Sequence, residues 1–167
     1  GVRIGVNWVP KEAYEQFLFE VIGTSAYARD KIHVLYSPHT GEWNVTGKSM
    51  DGSNIKAFTT YGTKRINAYH IFEQTLNQKD VRIFDTKIDA DGNEVRVLNK
   101  KETAIAQDRQ ELIKAKFAEW VWKDIDRRER LCGIYNETFN AIRPREYDGQ
   151  HIRFSGMNPE ITLRKHQ

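Results

Sequence analysis

The residues best suited to chemistry in this chain are arginines and lysines, gathered at three places. Asp126-Arg127-Arg128-Glu129-Arg130 places three guanidinium groups within four positions, Arg143 and Arg145 follow after a short interval, and Lys64-Arg65 stand as an isolated pair. A guanidinium fork matches the geometry of a phosphate, so these seven residues are the candidates for contact with a DNA backbone. The competing reading is a solvated, salt-bridged helix end, with Asp126 and Glu129 as the partners of the run. Motifs for catalysis are missing. The chain contains neither Gly-x-x-x-x-Gly-Lys-Ser/Thr nor Gly-x-Gly-x-x-Gly, which excludes a P-loop mechanism within it. His33, His39, His70, His151 and His166 show no His-x-x-x-His spacing, and the lone Cys132 allows no internal disulfide and no cysteine-based zinc cluster. Cys132 reads instead as a small apolar residue of a helix. Asp89-Ala90-Asp91-Gly92-Asn93 has the look of half a calcium loop, but Lys100 stands where the twelfth-position Glu is required, so turn chemistry is the better reading. Asn158-Pro159-Glu160-Ile161 lacks the second Pro and the aromatic of the base-gripping Asn-Pro-Pro-Tyr signature and is set aside as a catalytic motif.

The elements that must position these groups follow from periodicity. Pro10 opens an amphipathic helix with Ala13, Tyr14, Phe17, Leu18, Val21 and Ile22 on its apolar face, and Gly23 stops it. Residues 32–36 and Glu42–Val45 read as a β-hairpin around Ser37-Pro38-His39-Thr40-Gly41, followed by a loop to Asn54 and a short strand at Ile55–Tyr61. A second helix after Gly62 carries Lys64 and Arg65 at its start, with Ile66, Tyr69, Phe72 and Leu76 on its apolar face. Val81–Phe84 and Val95–Leu98 form a second hairpin across the Asp-Gly turn. Asn99-Lys100-Lys101-Glu102 has capping-box spacing and opens the longest helix, whose stripe is Ile105, Leu112, Ile113, Phe117, Trp120 and Val121. Asp124 caps a last helix through Ile142, which Pro144 ends. The expected fold is therefore α+β, with about four helices, two β-hairpins, and a C-terminal helical hairpin packed against the strands. Residues 1–142 read as one domain and 143–167 as an irregular connector.

Composition agrees with one globular domain. The 167 residues are 39% hydrophobic and 29% charged, and the aromatics, 4 Trp, 7 Tyr and 8 Phe, can anchor a sizeable core. The net charge of +3 arises from 26 basic and 23 acidic residues spread along the chain, which permits DNA binding without indicating it. The longest apolar stretches are far shorter than the ~20 residues of a membrane span, and an intracellular, cytoplasmic location is expected. The start at Gly1-Val2-Arg3 and the end at Arg164-Lys165-His166-Gln167 lead to the expectation of a piece cut from a longer protein.

Several segments together resemble a known arrangement. Residues 142–149 (Ile-Arg-Pro-Arg-Glu-Tyr-Asp-Gly), 154–161 (Phe-Ser-Gly-Met-Asn-Pro-Glu-Ile) and 163–167 (Leu-Arg-Lys-His-Gln), with Tyr135–Asn140, Val97–Thr103, Tyr61-Gly62-Thr63 and Asn7–Pro10, are similar to the region just before the helicase motor in very large methylase–helicase proteins of phages and conjugative elements. The resemblance implies an adenine-specific DNA methylase region before this one and a superfamily 2, Swi/Snf-like helicase after it. It further implies that Gln167, in Leu-Arg-x-His-Gln, contacts the adenine of ATP in the full protein. ATP with Mg²⁺ and S-adenosylmethionine are then cofactors of the parent, and no cofactor belongs to this chain. The implied function is a non-catalytic accessory domain that engages DNA and couples the two flanking activities of the same polypeptide. A structural domain that docks protein and binds no DNA is the rival, favoured if Trp8, Trp43 and Trp122 cluster on one open face.

Overall fold

The computed structural model describes residues 2–142, the last three by backbone alone. The expected connector, with Pro144, Arg143, Arg145 and Gln167, lies outside the described residues. The chain is mixed α+β: helices α1 (Lys11–Phe17), α2 (Ile55–Phe58), α3 (Ala68–Leu76), α4 (Lys100–Lys123) and α5 (Ile125–Ile142), with two antiparallel ribbons, β1 (Val34–Ser37) with β2 (Glu42–Val45) and β3 (Phe84–Ile88) with β4 (Glu94–Leu98).

Local signals fix most boundaries. Past Phe17, α1 widens into a π-helical turn, Leu18–Ile22, which the Gly23 N–H closes onto the Leu18 carbonyl, and Gly23 ends it at φ +81°. The Asn99 side chain accepts from the Glu102 N–H and the Asp124 Oδ1 from the Arg127 N–H, as helix N-caps do. Asp89 Oδ1 accepts from the Asp91 and Asn93 N–H groups, so its role is to shape the ribbon turn.

Three expectations need correction. Ile55–Tyr61 is not a strand: Asn54 Oδ1 accepts from the Lys56 N–H and starts the short helix α2. The second helix begins only at Ala68, capped by Asn67, so Lys64, Arg65 and Ile66 belong to the loop before it. Of the two long helices, α4 packs on α3 and on Phe17 of α1, and α5 packs on α4, rather than against the strands.

The core is aromatic where elements meet. Tyr14 packs edge-on to Trp43 of β2 (5.1 Å) and stacks with Phe117 of α4 (5.6 Å), while Phe17 meets Phe72 of α3 (5.7 Å) and Trp120 (5.6 Å). α5 adds Leu131 and Cys132, both buried, and sets Tyr135 against Trp8. The β1–β2 ribbon is tied down along both margins by helix side chains. Asn77 Oδ1 and Glu73 Oε2 accept from the Trp43 and Val45 N–H groups, and Glu15 Oε2 accepts from the Val34 N–H. The β3–β4 ribbon differs, since all of β4 is exposed and no further strand pairs with either ribbon among the described residues.

Candidate nucleic-acid interface

A concave basic cleft of about 500 Å³ lies where the loop before α3 faces the base of the β3–β4 ribbon. Its cations are Lys64, Arg65, Arg82 and Arg96, drawn from three separate stretches of chain. Each is placed by identifiable contacts.

The loop carrying Lys64 and Arg65 is held by hydrogen bonds within itself and to α4. Thr63 Oγ1 accepts from the Arg65 and Ile66 N–H groups, Arg109 of α4 donates to the Thr59 carbonyl at 2.7 Å, and Asn67 Nδ2 donates to the Lys48 carbonyl. Gly62 sits buried at the bend, where a Cβ would run into the Ala57 carbonyl oxygen. Arg82 is placed by its neighbours. Gln110 of α4, 1% exposed, accepts from the Val81 N–H and donates to the Lys79 carbonyl and to Thr75, and Thr103 accepts from the Ile83 N–H. Val81 and Ile83 therefore face the core, and alternation turns Arg82 out into the cleft. Arg96 lies opposite Thr86 in the ribbon register, and its guanidinium sits 4.1 Å over the Phe84 ring.

The charge balance of the cleft is positive. Arg65 is held by Asp85 (3.0 Å) and donates to the Phe84 carbonyl, whereas Lys64, Arg82 and Arg96 have no ion pair among the described residues. Hydrogen bonds from Asn99 and then Arg65 keep Asp85 below the usual carboxylate range. Burial and then the nearby Lys48 lower the His70 pKa below the ordinary imidazole value, which favours its neutral form. Its Nδ1 lies 3.0 Å from Asn67 Oδ1.

The structure thus keeps Lys64 and Arg65 at the candidate interface, adds Arg82 and Arg96, and leaves the 126–130 run elsewhere, since none of its residues lines the cleft. Arg127 has a different occupation. Its guanidinium lies 3.7 Å over the Trp120 ring, donates to the Trp120 carbonyl at 2.6 and 3.1 Å, and reaches toward Asp124 (3.7 Å) and Glu20 (4.0 Å). Glu20 in turn accepts from the Trp120 indole N–H (2.9 Å). Those contacts clasp the π turn, α4 and α5 together, and the Arg127 side chain is only 10% exposed. Arg128 covers the Trp122 ring (4.6 Å), and Arg130 is exposed. Nor do the three tryptophans form one open face: Trp43 is 5% exposed, Trp8 packs on Tyr135 and Trp122 lies under Arg128.

Arg82 and Arg96 were missed by spacing alone. The signal existed in the alternation of residues 81–83 and in the Asp-Gly turn, whose register puts Arg96 on the face of Phe84. Cys132 is buried, and burial pushes its thiol up to about 12. Among the described residues no group of three or more His, Cys, Asp or Glu could hold a metal, and no helix is long and apolar enough to cross a membrane.

Comparison with known proteins gives one match, a family model described as a domain of unknown function (DUF8437), over residues 3–141. No curated protein and no solved structure matches the chain.

Proposed function

We propose, for a chain that belongs to the DUF8437 family of domains of unknown function, a non-catalytic accessory role in engaging DNA. The observation that carries it is the gathering of Lys64, Arg65, Arg82 and Arg96 round one cleft, three of them without a carboxylate partner among the described residues. Unpaired cations on a concave, hydrogen-bonded frame are suited to neutralising backbone phosphates, and they read no sequence by themselves. The resemblance of the chain to the region ahead of the motor in methylase–helicase proteins supplies the context. In that setting the domain holds DNA between a base-modifying enzyme and a translocating one, and the parent's ATP, Mg²⁺ and S-adenosylmethionine are bound by the flanking regions.

Fluorescence anisotropy of the purified chain with labelled DNA at two salt concentrations tests this. Binding that weakens steeply with salt and is reduced by Lys64→Ala and Arg82→Ala is the expected result. No binding at low salt and tens of micromolar protein, within the ~10⁻⁴ to 10⁻⁶ M range of non-specific complexes, overturns it. The rival, a protein-docking domain, draws support from the apolar residues exposed on the β3–β4 ribbon, Ile88 (65%), Val95 and Val97 (39% each).

A further inference from the structure

The basic cleft does not end at the base of the ribbon. A second cleft of about 530 Å³ shares Ile66, Arg82 and Phe84 with it, so the two halves of the grooved surface meet at these residues. The second half is lined further by Gln74, Gln78, Lys79 and Asp80, so its charge is more nearly balanced than that of the first. Its shape and lining differ from what a duplex needs. Duplex DNA is a convex cylinder whose phosphates a flat or ridged basic surface can meet, whereas each half of this groove has the volume of a pocket for one small organic group. The lining also mixes cations with apolar and aromatic side chains: Phe58, Ile66 and Phe84 beside Lys64, Arg82 and Arg96. Phosphate alone has no use for the apolar part.

We propose that this groove takes a single-stranded nucleic acid, with a base stacked on the Arg96–Phe84 pair and the flanking phosphates on Lys64 and Arg82. The proposal rests on the nucleic-acid reading of the same cleft and names the form of the ligand. Arg96, exposed and held 4.1 Å over Phe84, offers a flat cationic surface at the groove wall. Every base has a π-face, so such a platform accepts any sequence, and single-strand sites combine stacking of this kind with a basic track for the backbone. Arg82 stands at the junction of the two half-grooves, where a strand passing from one to the other carries its phosphate.

The test uses the whole chain, a single-stranded 12-mer carrying 2-aminopurine at its centre, and a duplex of the same length. The expected result is tighter binding of the single strand at equal salt, with the 2-aminopurine fluorescence changed by stacking. Arg96→Gln and Phe84→Leu should each weaken the single strand by about tenfold, in the range of aromatic stacking on one base, and remove the fluorescence change. Arg96→Gln alters an exposed side chain, so it stays informative if Phe84→Leu loses the fold. Lys64→Ala and Arg82→Ala should each lower the salt slope of single-strand binding by about 0.7. If the duplex binds as well or better and the base probe does not respond, the single-strand proposal falls while the DNA-binding reading stands. If neither DNA binds, both fall.

Discussion

Replacing Arg127 by alanine separates a structural arginine from a DNA-binding one. The last carbonyls of α4 have no partner within the helix, and Arg127 serves that of Trp120 through two nitrogens, at 2.6 and 3.1 Å. A hydrogen bond from a charged donor contributes about 1.5–3 kcal/mol, and a guanidinium over an indole about 0.5–2 kcal/mol. The pairs to Asp124 and Glu20 are long, 3.7 and 4.0 Å, and both carboxylates are about half exposed, so screening leaves them about 0–1 kcal/mol. These terms overlap, and a loss of about 3 kcal/mol is expected for Arg127→Ala. For a domain of this size that lowers Tm by roughly 6–12 °C. Urea unfolding followed by tryptophan fluorescence reads the loss directly, and anisotropy on the same preparation should show DNA affinity unchanged within about twofold, since Arg127 lies outside the basic cleft. Lys64→Ala and Arg82→Ala should behave in the opposite way, keeping stability and losing affinity. A stability change under about 0.5 kcal/mol, a typical exposed-site value, would refute the clasp. Loss of DNA binding by a folded Arg127→Ala protein would return the residue to the interface.

Tyr69→Phe should cost about 2 kcal/mol at neutral pH, because the Tyr69 hydroxyl donates to the buried Asp51 at 2.6 Å and also meets Thr24 at 2.8 Å. Burial raises the Asp51 pKa, but hydrogen bonds from Ser25, Tyr69 and Asn54 outweigh it and leave the group below its ordinary 3.8. Its stabilising effect is therefore full above that value and lost as pH falls through the lowered one, so the Tyr69→Phe deficit in urea unfolding should shrink below pH 3.8. A deficit independent of pH would mean that the hydroxyl does not act through the charged carboxylate. Gly62→Ala should destabilise by about 3 kcal/mol in a thermal melt, because its new methyl meets backbone of Ala57 and Ala68 that cannot turn aside. Native Cys132 should resist a thiol reagent that labels it readily in urea, since it is 2% exposed and its thiol is pushed up to about 12; prompt labelling of the folded protein would show that α5 opens.

Much of the fold was legible wherever a single residue sets a local geometry. Gly23 as a stop, Asn99 and Asp124 as caps and the Asp-Gly turn all act within a few positions of themselves, and each stands where spacing puts it. Ile55–Tyr61 was misread because β-branched and aromatic residues suit a strand, while the deciding group, the Asn54 side chain, lies one position before it. The candidate site was half legible. Lys64 and Arg65 stand out in sequence, but what joins them to Arg82 is the docking of residues 79–83 on Gln110 and Thr103 of α4, a contact across 20 to 31 positions. Arg127 illustrates the converse: an arginine run looks like a phosphate grip until a tryptophan and its open carbonyl seven residues upstream claim its first member.

The two ribbons also differ in what they mean for the protein at high concentration. Outward N–H groups at both margins of β1–β2 are already taken by Glu15, Glu73 and Asn77, so a stray strand finds no vacant donor at those positions. On β3–β4 Arg65 takes the Phe84 carbonyl, but no side chain among the described residues takes an outward N–H group, and Val95 and Val97 are shown to solvent. What discourages copies from zipping together there is charge, since Asp85, Lys87, Glu94 and Arg96 alternate with the apolar positions. Of these four, Lys87 and Glu94 are exposed and form no ion pair among the described residues, so they give aggregation resistance while contributing little to folding. Neutralising them should leave the melting temperature nearly unchanged while shortening the time the protein stays in solution.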